Sequence, residues 1–227
     1  MKQTFKKTLL STTVTASMAL LSMLAGSAVQ AQTLSLGSHI VNMNFTKDGG
    51  VTIVNEGGGS INSSTLNGVA LPFVYCVDIN HNITVPGTYT PTPITTNGTV
   101  FGSAVNNAGQ VAWLLDHYAA GATTDDLQGG LQAAIWHTIY GANYYIVAGG
   151  NSTSNMIADY NTDITGLGSN TDPVSNIKWL SPSDSNGTHY QALATKTNVP
   201  EPGVVALAAG MLISGSVFTV RRRRARK

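Results

Sequence analysis

The first apolar pattern in the body of the chain is the alternation typical of β-strands. Val41, Met43 and Phe45 alternate with polar residues, and the segment 51–54 is again rich in β-branched residues. Between them lies Lys47-Asp48-Gly49-Gly50, a composition typical of turns. These residues predict a β-hairpin over 41–54.

A second apolar stretch runs from Leu71 to Ile79 and is rich in β-branched and aromatic residues, which predicts a strand. It contains the chain's single cysteine, Cys76. Because side chains alternate along a strand, Cys76 and Asp78 are predicted to share one face. Further strands are predicted near 177–180 and at 190–195.

Helical periodicity occupies the middle of the chain. Val111, Leu114, Leu115 and Tyr118 recur at helical spacing, and Gly121 is predicted to end this helix. A short third helix is predicted over 154–160.

A longer helix is predicted from an N-cap at Thr124 to Tyr140. Gln132 is expected at the border of its buried face. Gly129 and Gly130 cost this helix about 1 kcal/mol each relative to Ala, so they either permit close backbone approach or mark a break. The predicted buried stripe consists of Leu127, Leu131, Ala134 and Ile135.

The two ends of the chain differ from its body. Three lysines, an apolar run over 9–24 and small residues ending at Ala31 predict a signal peptide over 1–31; a retained membrane anchor is the alternative. Residues 203–220 are mostly apolar and, as a helix, would reach ~27 Å, enough to span a bilayer. The basic residues at 221–227 predict that the chain's end stays in the cytoplasm.

The composition of the part between these ends narrows the function. A domain over 32–195 and a linker over 196–202 are predicted, and this length usually forms one domain. The formal net charge of +1 hides an acidic body, because six of the twelve basic residues lie in 221–227. Such a surface argues against a nucleic-acid partner. A single cysteine also excludes an internal disulfide.

Two short sequences resemble a known family. Tyr75-Cys76-Val77-Asp78 and the later Leu131-Gln132-Ala133-Ala134-Ile135-Trp136 resemble the thioester domain of bacterial surface adhesins. In that family a Tyr-Cys strand and a Gln-x-Ala-Ile-Trp helix supply the two halves of an internal thioester. The resemblance implies a Cys76–Gln132 cross-link. With the predicted elements it implies an α+β fold, an antiparallel β-sheet or barrel with a helical insertion.

General chemistry accounts for such a cross-link. A thiolate held against a Gln carboxamide can expel ammonia, because proximity replaces a slow bimolecular step. The thioester is then open to attack by an amine- or hydroxyl-bearing target, which would become joined to Gln132. One use consumes the bond, so the expected protein is a covalent binder and not a turnover enzyme.

Two other functions are compatible with the same residues. A lone Cys in an apolar strand is often an ordinary core residue, which would leave a noncovalent structural or carbohydrate-binding matrix protein. A cysteine hydrolase pairing Cys76 with His137 or His81 is a third option. The scattered histidines show no metal-ligand spacing, so neither a metal nor another cofactor is expected.

The C-terminal segment resembles the PEP-CTERM sorting signal of Gram-negative bacteria that secrete polysaccharide. Its motif is Val199-Pro200-Glu201-Pro202, followed by the apolar segment and the arginine run. The resemblance implies an exosortase-type processing enzyme as partner. It also implies an inner-membrane precursor that is delivered to the cell surface or matrix, where a surface, matrix or polysaccharide target would be met. An ordinary C-terminal anchor is the alternative.

Overall fold

The computed structural model describes residues 32–184 and 186–197. The predicted signal peptide, the Val199-Pro200-Glu201-Pro202 motif, the apolar segment 203–220 and the basic tail 221–227 lie outside these residues. Within the described part, no helix combines the length and apolar character needed to cross a bilayer.

The described residues form a mixed α+β structure, which confirms the predicted fold class. Its strands are β1 (Leu34–Leu36), β2 (Val41–Lys47), β3 (Val51–Gly58), β4 (Thr65–Leu66), β5 (Val69–Ala70), β6 (Tyr75–Cys76), β7 (Gly87–Thr95), β8 (Thr99–Val100), β9 (Ser103–Ala104), β10 (Tyr145–Ile146), β11 (Ile177–Ser183) and β12 (Leu193–Lys196). The helices are α1 (Ala108–Tyr118), α2 (Asp125–Tyr140) and α3 (Ser154–Leu167), and a 3₁₀ turn covers Val174–Asn176.

A curled antiparallel sheet provides the framework, with strand order β5-β4-β1-β7-β11-β12-β6. Its edge strand β6 pairs with β12, with Leu193 opposite Cys76 and Ala194 opposite Tyr75. A second sheet has the order β10-β2-β3, and β8 and β9 form a separate hairpin. The edge pairing places Cys76 beside the chain segment that leads into β12.

The predicted hairpin over 41–54 is confirmed. Strands β2 and β3 pair antiparallel, with Lys47 opposite Val51. Asp48 and Gly49 occupy positive φ values of 53° and 71° in the turn, where glycine and aspartate are tolerated best.

The predicted strand over Leu71 to Ile79 is wrong except at Tyr75 and Cys76. The backbone of this segment bonds mainly to loops: Ile61 N–H donates to the Val74 carbonyl, and Val77 N–H donates to the Ala192 carbonyl, both at 2.9 Å. Nearly all side chains of the segment are buried, as its apolar sequence predicts, and burial alone does not distinguish a strand from a buried loop.

The three helices predicted between residues 111 and 160 are present. The Thr124 hydroxyl accepts from Leu127 N–H at 3.3 Å, which confirms the predicted N-cap of α2. Helix α3 is longer than the predicted 154–160, and it has its own N-cap in Thr153, whose hydroxyl accepts from Met156 N–H at 3.0 Å. Strand β11 extends beyond its predicted end, and β12 begins later than the predicted residue 190.

Helix α2 is unbroken at Gly129 and Gly130, so the expectation of close backbone approach is confirmed. A Cβ on Gly129 would lie 2.7 Å from Met156 Sδ, and one on Gly130 would lie 2.8 Å from Tyr160 N. The element that lies close to both glycines is therefore α3. Leu127 corrects the predicted buried stripe: it is 36% exposed because the first turn of α2 lies at the surface, whereas Gln128, next in the chain, is buried.

Candidate functional site

Cys76 and Gln132, 56 residues apart in sequence, lie in direct contact. Cys76 N–H donates to Gln132 Oε1 at 3.0 Å, and Gln132 Nε2 donates to the Cys76 carbonyl at 2.7 Å. Strand β6 supplies the cysteine and the middle of α2 supplies the glutamine. Both are buried, with exposures of 3% and 0%.

The two hydrogen bonds determine the orientation of the Gln132 carboxamide. A backbone N–H can only donate and a carbonyl can only accept, so exchanging the amide oxygen and nitrogen would break both bonds. The carbonyl of Gln132 is consequently polarised by the N–H of the same residue that carries the thiol.

Gly58, at the end of β3, makes room for the Gln132 side chain. A Cβ at this position would lie 2.5 Å from Gln132 Cγ and 3.2 Å from Trp136 Cη2. Trp136 is fully buried and packs edge to face on Phe45, with ring centroids 5.2 Å apart. The α2 face bearing Gln132 and Trp136 thus packs closely on β3.

Gln191 is a third member of the site, and sequence reasoning missed it. The Cys76 thiol donates to Gln191 Oε1 at 3.1 Å, and Gln191 is 6% exposed. The pairing of β12 with β6 places Gln191 there. No motif surrounds Gln191; its only signal is a polar residue that begins the apolar run Ala192-Leu193-Ala194.

The surroundings of the thiol favour its protonated form. Burial raises the pKa of Cys76 well above its usual value, and the negative charges of Glu56 and Asp78 raise it further. Over residues 32–184 and 186–197, Gln191 is the one hydrogen-bond partner found for the sulfur. The site therefore holds a neutral thiol beside a polarised carboxamide.

A cavity of about 60 Å³, called the sulfur cavity below, is lined in part by Cys76. Its lining includes Cys76 and Gln191 together with the aliphatic side chains of Ile40, Ile83 and Val85. One water occupies roughly 10–15 Å³ on this measure, so the cavity has room for a few atoms of an incoming molecule.

The two histidines considered for a hydrolase have other partners. His81 Nδ1 lies 2.5 Å from Asp78 Oδ2. His137 Nδ1 lies 2.9 Å from both the Tyr144 carbonyl and the Tyr160 hydroxyl. Neither contact involves Cys76, so these two histidines give the hydrolase option no Cys–His pair.

Asp78 corrects one expectation, since the extended strand in which it was to share a face with Cys76 ends at Cys76. It is 9% exposed and accepts from Asn80 N–H at 2.8 Å. Within the described ranges, no cluster of three or more His, Cys, Asp or Glu residues is placed to bind a metal.

Comparison with known proteins gives one match. No curated protein and no solved structure matches the chain. The matched segment includes Cys76 and Gln132 but ends before Gln191. Residues 73–176 match the family model described as thioester domain (TED), and this match supports a thioester-domain protein.

Proposed function

We propose that this protein is a single-use covalent adhesin, in which Cys76 and Gln132 form an internal thioester that reacts with an amine- or hydroxyl-bearing target. The observation that carries the proposal is the pair of hydrogen bonds between the Gln132 carboxamide and the Cys76 backbone. The match of residues 73–176 to the thioester domain supports it, because such domains act as covalent attachment modules.

Bond formation begins with the Cys76 sulfur attacking Cδ of Gln132. Cys76 N–H stabilises the negative charge that develops on Oε1, as a single oxyanion-hole donor does. The S–Cδ bond forms, the Cδ–Nε2 bond breaks, and the thiol proton leaves on ammonia. The thiol's high pKa makes free thiolate scarce, so the fixed geometry has to supply most of the acceleration.

In target capture the Cys76 sulfur, which was the nucleophile in bond formation, becomes the leaving group at the same carbon, Cδ of Gln132. A target amine attacks Cδ, the S–Cδ bond breaks, and the proton lost by the amine ends on the sulfur. The product is an amide between the target and Gln132, with Cys76 again a thiol that can donate to Gln191. A stable amide does not regenerate the thioester, so each domain acts once.

Intact mass under native preparation tests the thioester. Wild type is expected to weigh less than its sequence by one ammonia, because closing the bond expels it. Cys76→Ala and Gln132→Ala are each expected to abolish the deficit. Gln110→Ala, the same substitution on α1, is expected to keep it, because the Gln110 side chain bonds to the Gly168 carbonyl away from the site.

Gln191 makes this experiment sharper. Since the sulfur contacts Gln191 Oε1, Gln191 is the competing acyl donor. If the ammonia deficit persists in Gln132→Ala and disappears in Gln191→Ala, the thioester forms with Gln191 and not with Gln132. A full-mass wild type with a reactive thiol would leave the noncovalent matrix protein as the better reading.

We also propose that the adhesin is exported, anchored in the inner membrane as a precursor, and processed near Pro200-Glu201-Pro202 by an exosortase-type enzyme. The support is the sequence of both ends, together with the usual extracellular or surface location of thioester domains. The surface form is expected to begin near Gln32 and to lack 221–227. Recovery of peptides from 221–227 in the extracellular fraction would contradict processing.

A further inference from the structure

A second pocket, of about 280 Å³, lies apart from the sulfur cavity. The segment after β6, the β8–β9 hairpin and the end of α2 all contribute to it. Its side chains include Asp78, His81, Phe101, Tyr140 and His189. None of these side chains hydrogen-bonds to Cys76 or Gln132, although the charge of Asp78 helps to raise the pKa of the Cys76 thiol.

One wall of this pocket is a stacked aromatic pair. Phe101 and His189 stack with ring centroids 4.1 Å apart and an interplanar angle of 15°. Phe101 N–H donates to Ser181 Oγ at 2.9 Å, which ties the hairpin to β11. His189 is exposed and reaches the pocket from the loop between β11 and β12.

Polar groups of the pocket are held in place by one carboxylate. Asp78 accepts from Asn80 N–H, bonds His81 Nδ1 at 2.5 Å, and accepts from the Tyr140 hydroxyl at 3.4 Å. Holding Nδ1 leaves His81 Nε2 as the ring nitrogen available to a ligand. The pocket therefore carries an oriented imidazole and an oriented phenol.

The lining favours a neutral ligand. The described residues that line the pocket include no Lys or Arg, and the Asp78 carboxylate disfavours an anion. A cation would have to compete for carboxylate oxygens that already accept bonds from three groups of the chain.

The size and polarity of the pocket restrict the class of ligand further. Drug-sized ligands use pockets of roughly 300–1,000 Å³, so about 280 Å³ suits a single ring. Val77, Val105 and Ile139 give an apolar base, while Ser103 and Asn106 add hydroxyl and amide groups at the rim. We infer that this pocket binds a neutral sugar ring, with its apolar face against the apolar and aromatic lining and its hydroxyls on the polar groups.

Sugar binding at this pocket does not require the thioester. Val77 and Asp78 line the pocket and directly follow Cys76 in the chain. A glycan held here would be bound reversibly close to the residue that carries the reactive sulfur. Noncovalent recognition would then precede covalent capture and select its target.

Saturation-transfer NMR with glucose, galactose, mannose and N-acetylglucosamine tests the pocket. The experiment uses full-length Cys76→Ala, in which no thioester can form, so its result does not depend on the covalent chemistry. At least one of the four sugars is expected to receive saturation from the protein. His81→Ala is expected to weaken binding about five- to tenfold, as loss of one neutral hydrogen bond does.

Ala104→Trp provides a second variant with little risk to folding. Ala104 is exposed on the β8–β9 hairpin and lines the pocket, so the indole is expected to occupy the sugar site and abolish saturation transfer. Tyr145→Ala, which removes an exposed aromatic ring outside the pocket, is the matched control and should bind like its parent. Absence of transfer to all four sugars, or equal transfer in Ala104→Trp, would overturn the inference.

Discussion

Methylamine is expected to add to Gln132 of the native protein and to release the Cys76 thiol in the same step. Aminolysis transfers the acyl group to nitrogen and returns sulfur as a leaving group. The cavity of about 60 Å³ lined by Cys76 has room for so small an amine, which from there has to reach Cδ of the adjoining, buried Gln132. Intact mass should show one adduct, fragment spectra should place it on Gln132, and thiol labelling should rise in parallel.

The rate of this addition is expected to increase with pH, because only the unprotonated amine is nucleophilic and alkylamines have a pKa of about 10. Hydrolysis limits the increase at high pH. Cys76→Ala is the control and should show neither adduct nor new thiol. Adduct formation by Cys76→Ala, or thiol release without an adduct on Gln132, would contradict the mechanism.

A physiological partner extends the same test to covalent capture. Its complex with wild type is expected to survive boiling in denaturant and reductant, because an amide joins the chains. The complex with Cys76→Ala should dissociate. Equal retention by both proteins with no complex surviving denaturation would show binding by contact alone.

Gly58→Ala is expected to prevent thioester formation in a folded protein. The new methyl group would lie 2.5 Å from Gln132 Cγ, closer than real Cβ contacts come, so the Gln132 side chain has to move. Its carboxamide would then leave the two hydrogen bonds that align it with Cys76. Overpacking of this kind costs about 1–3 kcal/mol of stability. The fraction of molecules with the ammonia deficit should therefore fall more than the fraction of molecules that are folded.

Gly50→Ala is the matched control. A Cβ on Gly50 meets nothing within 4 Å, so the same substitution should leave both folding and the mass deficit unchanged. Circular dichroism and intact mass on the three proteins separate misfolding from misalignment. A folded Gly58→Ala protein that retains the full deficit would show that Gln132 tolerates the displacement.

Local signals in the sequence predicted the local structure well. Thr124 and the periodic apolar residues predicted α2, and the turn 47–50 predicted the β2–β3 hairpin. The prediction of a continuous strand over 71–79 failed because an apolar run indicates only that the segment is buried. Its backbone hydrogen-bond partners come mainly from distant loops. The prediction that Leu127 is buried failed because helical periodicity does not show which turns of a helix lie outside the core.

The residues of the candidate site could not be predicted from local sequence patterns alone. The pairing of Cys76 with Gln132 was expected from a family resemblance, since nothing in their spacing requires contact. The place of Gln191 in the site depends on the pairing of β6 with β12, which brings Gln191 to Cys76 across 115 residues of sequence. The contact of Phe101 with His189 likewise joins distant parts of the chain. Tertiary contacts of this kind leave no local pattern.

The separation of 56 positions between Cys76 and Gln132 gives the proposed bond a second role. A cross-link that closes a loop of this length restricts the unfolded chain and adds about 4 kcal/mol of stability in the chain-entropy model. Capture opens that loop and removes the restriction. A spent domain would then be easier to unfold and degrade than an unused one, so the proposed capture reaction would also shorten the lifetime of the domain that it attaches.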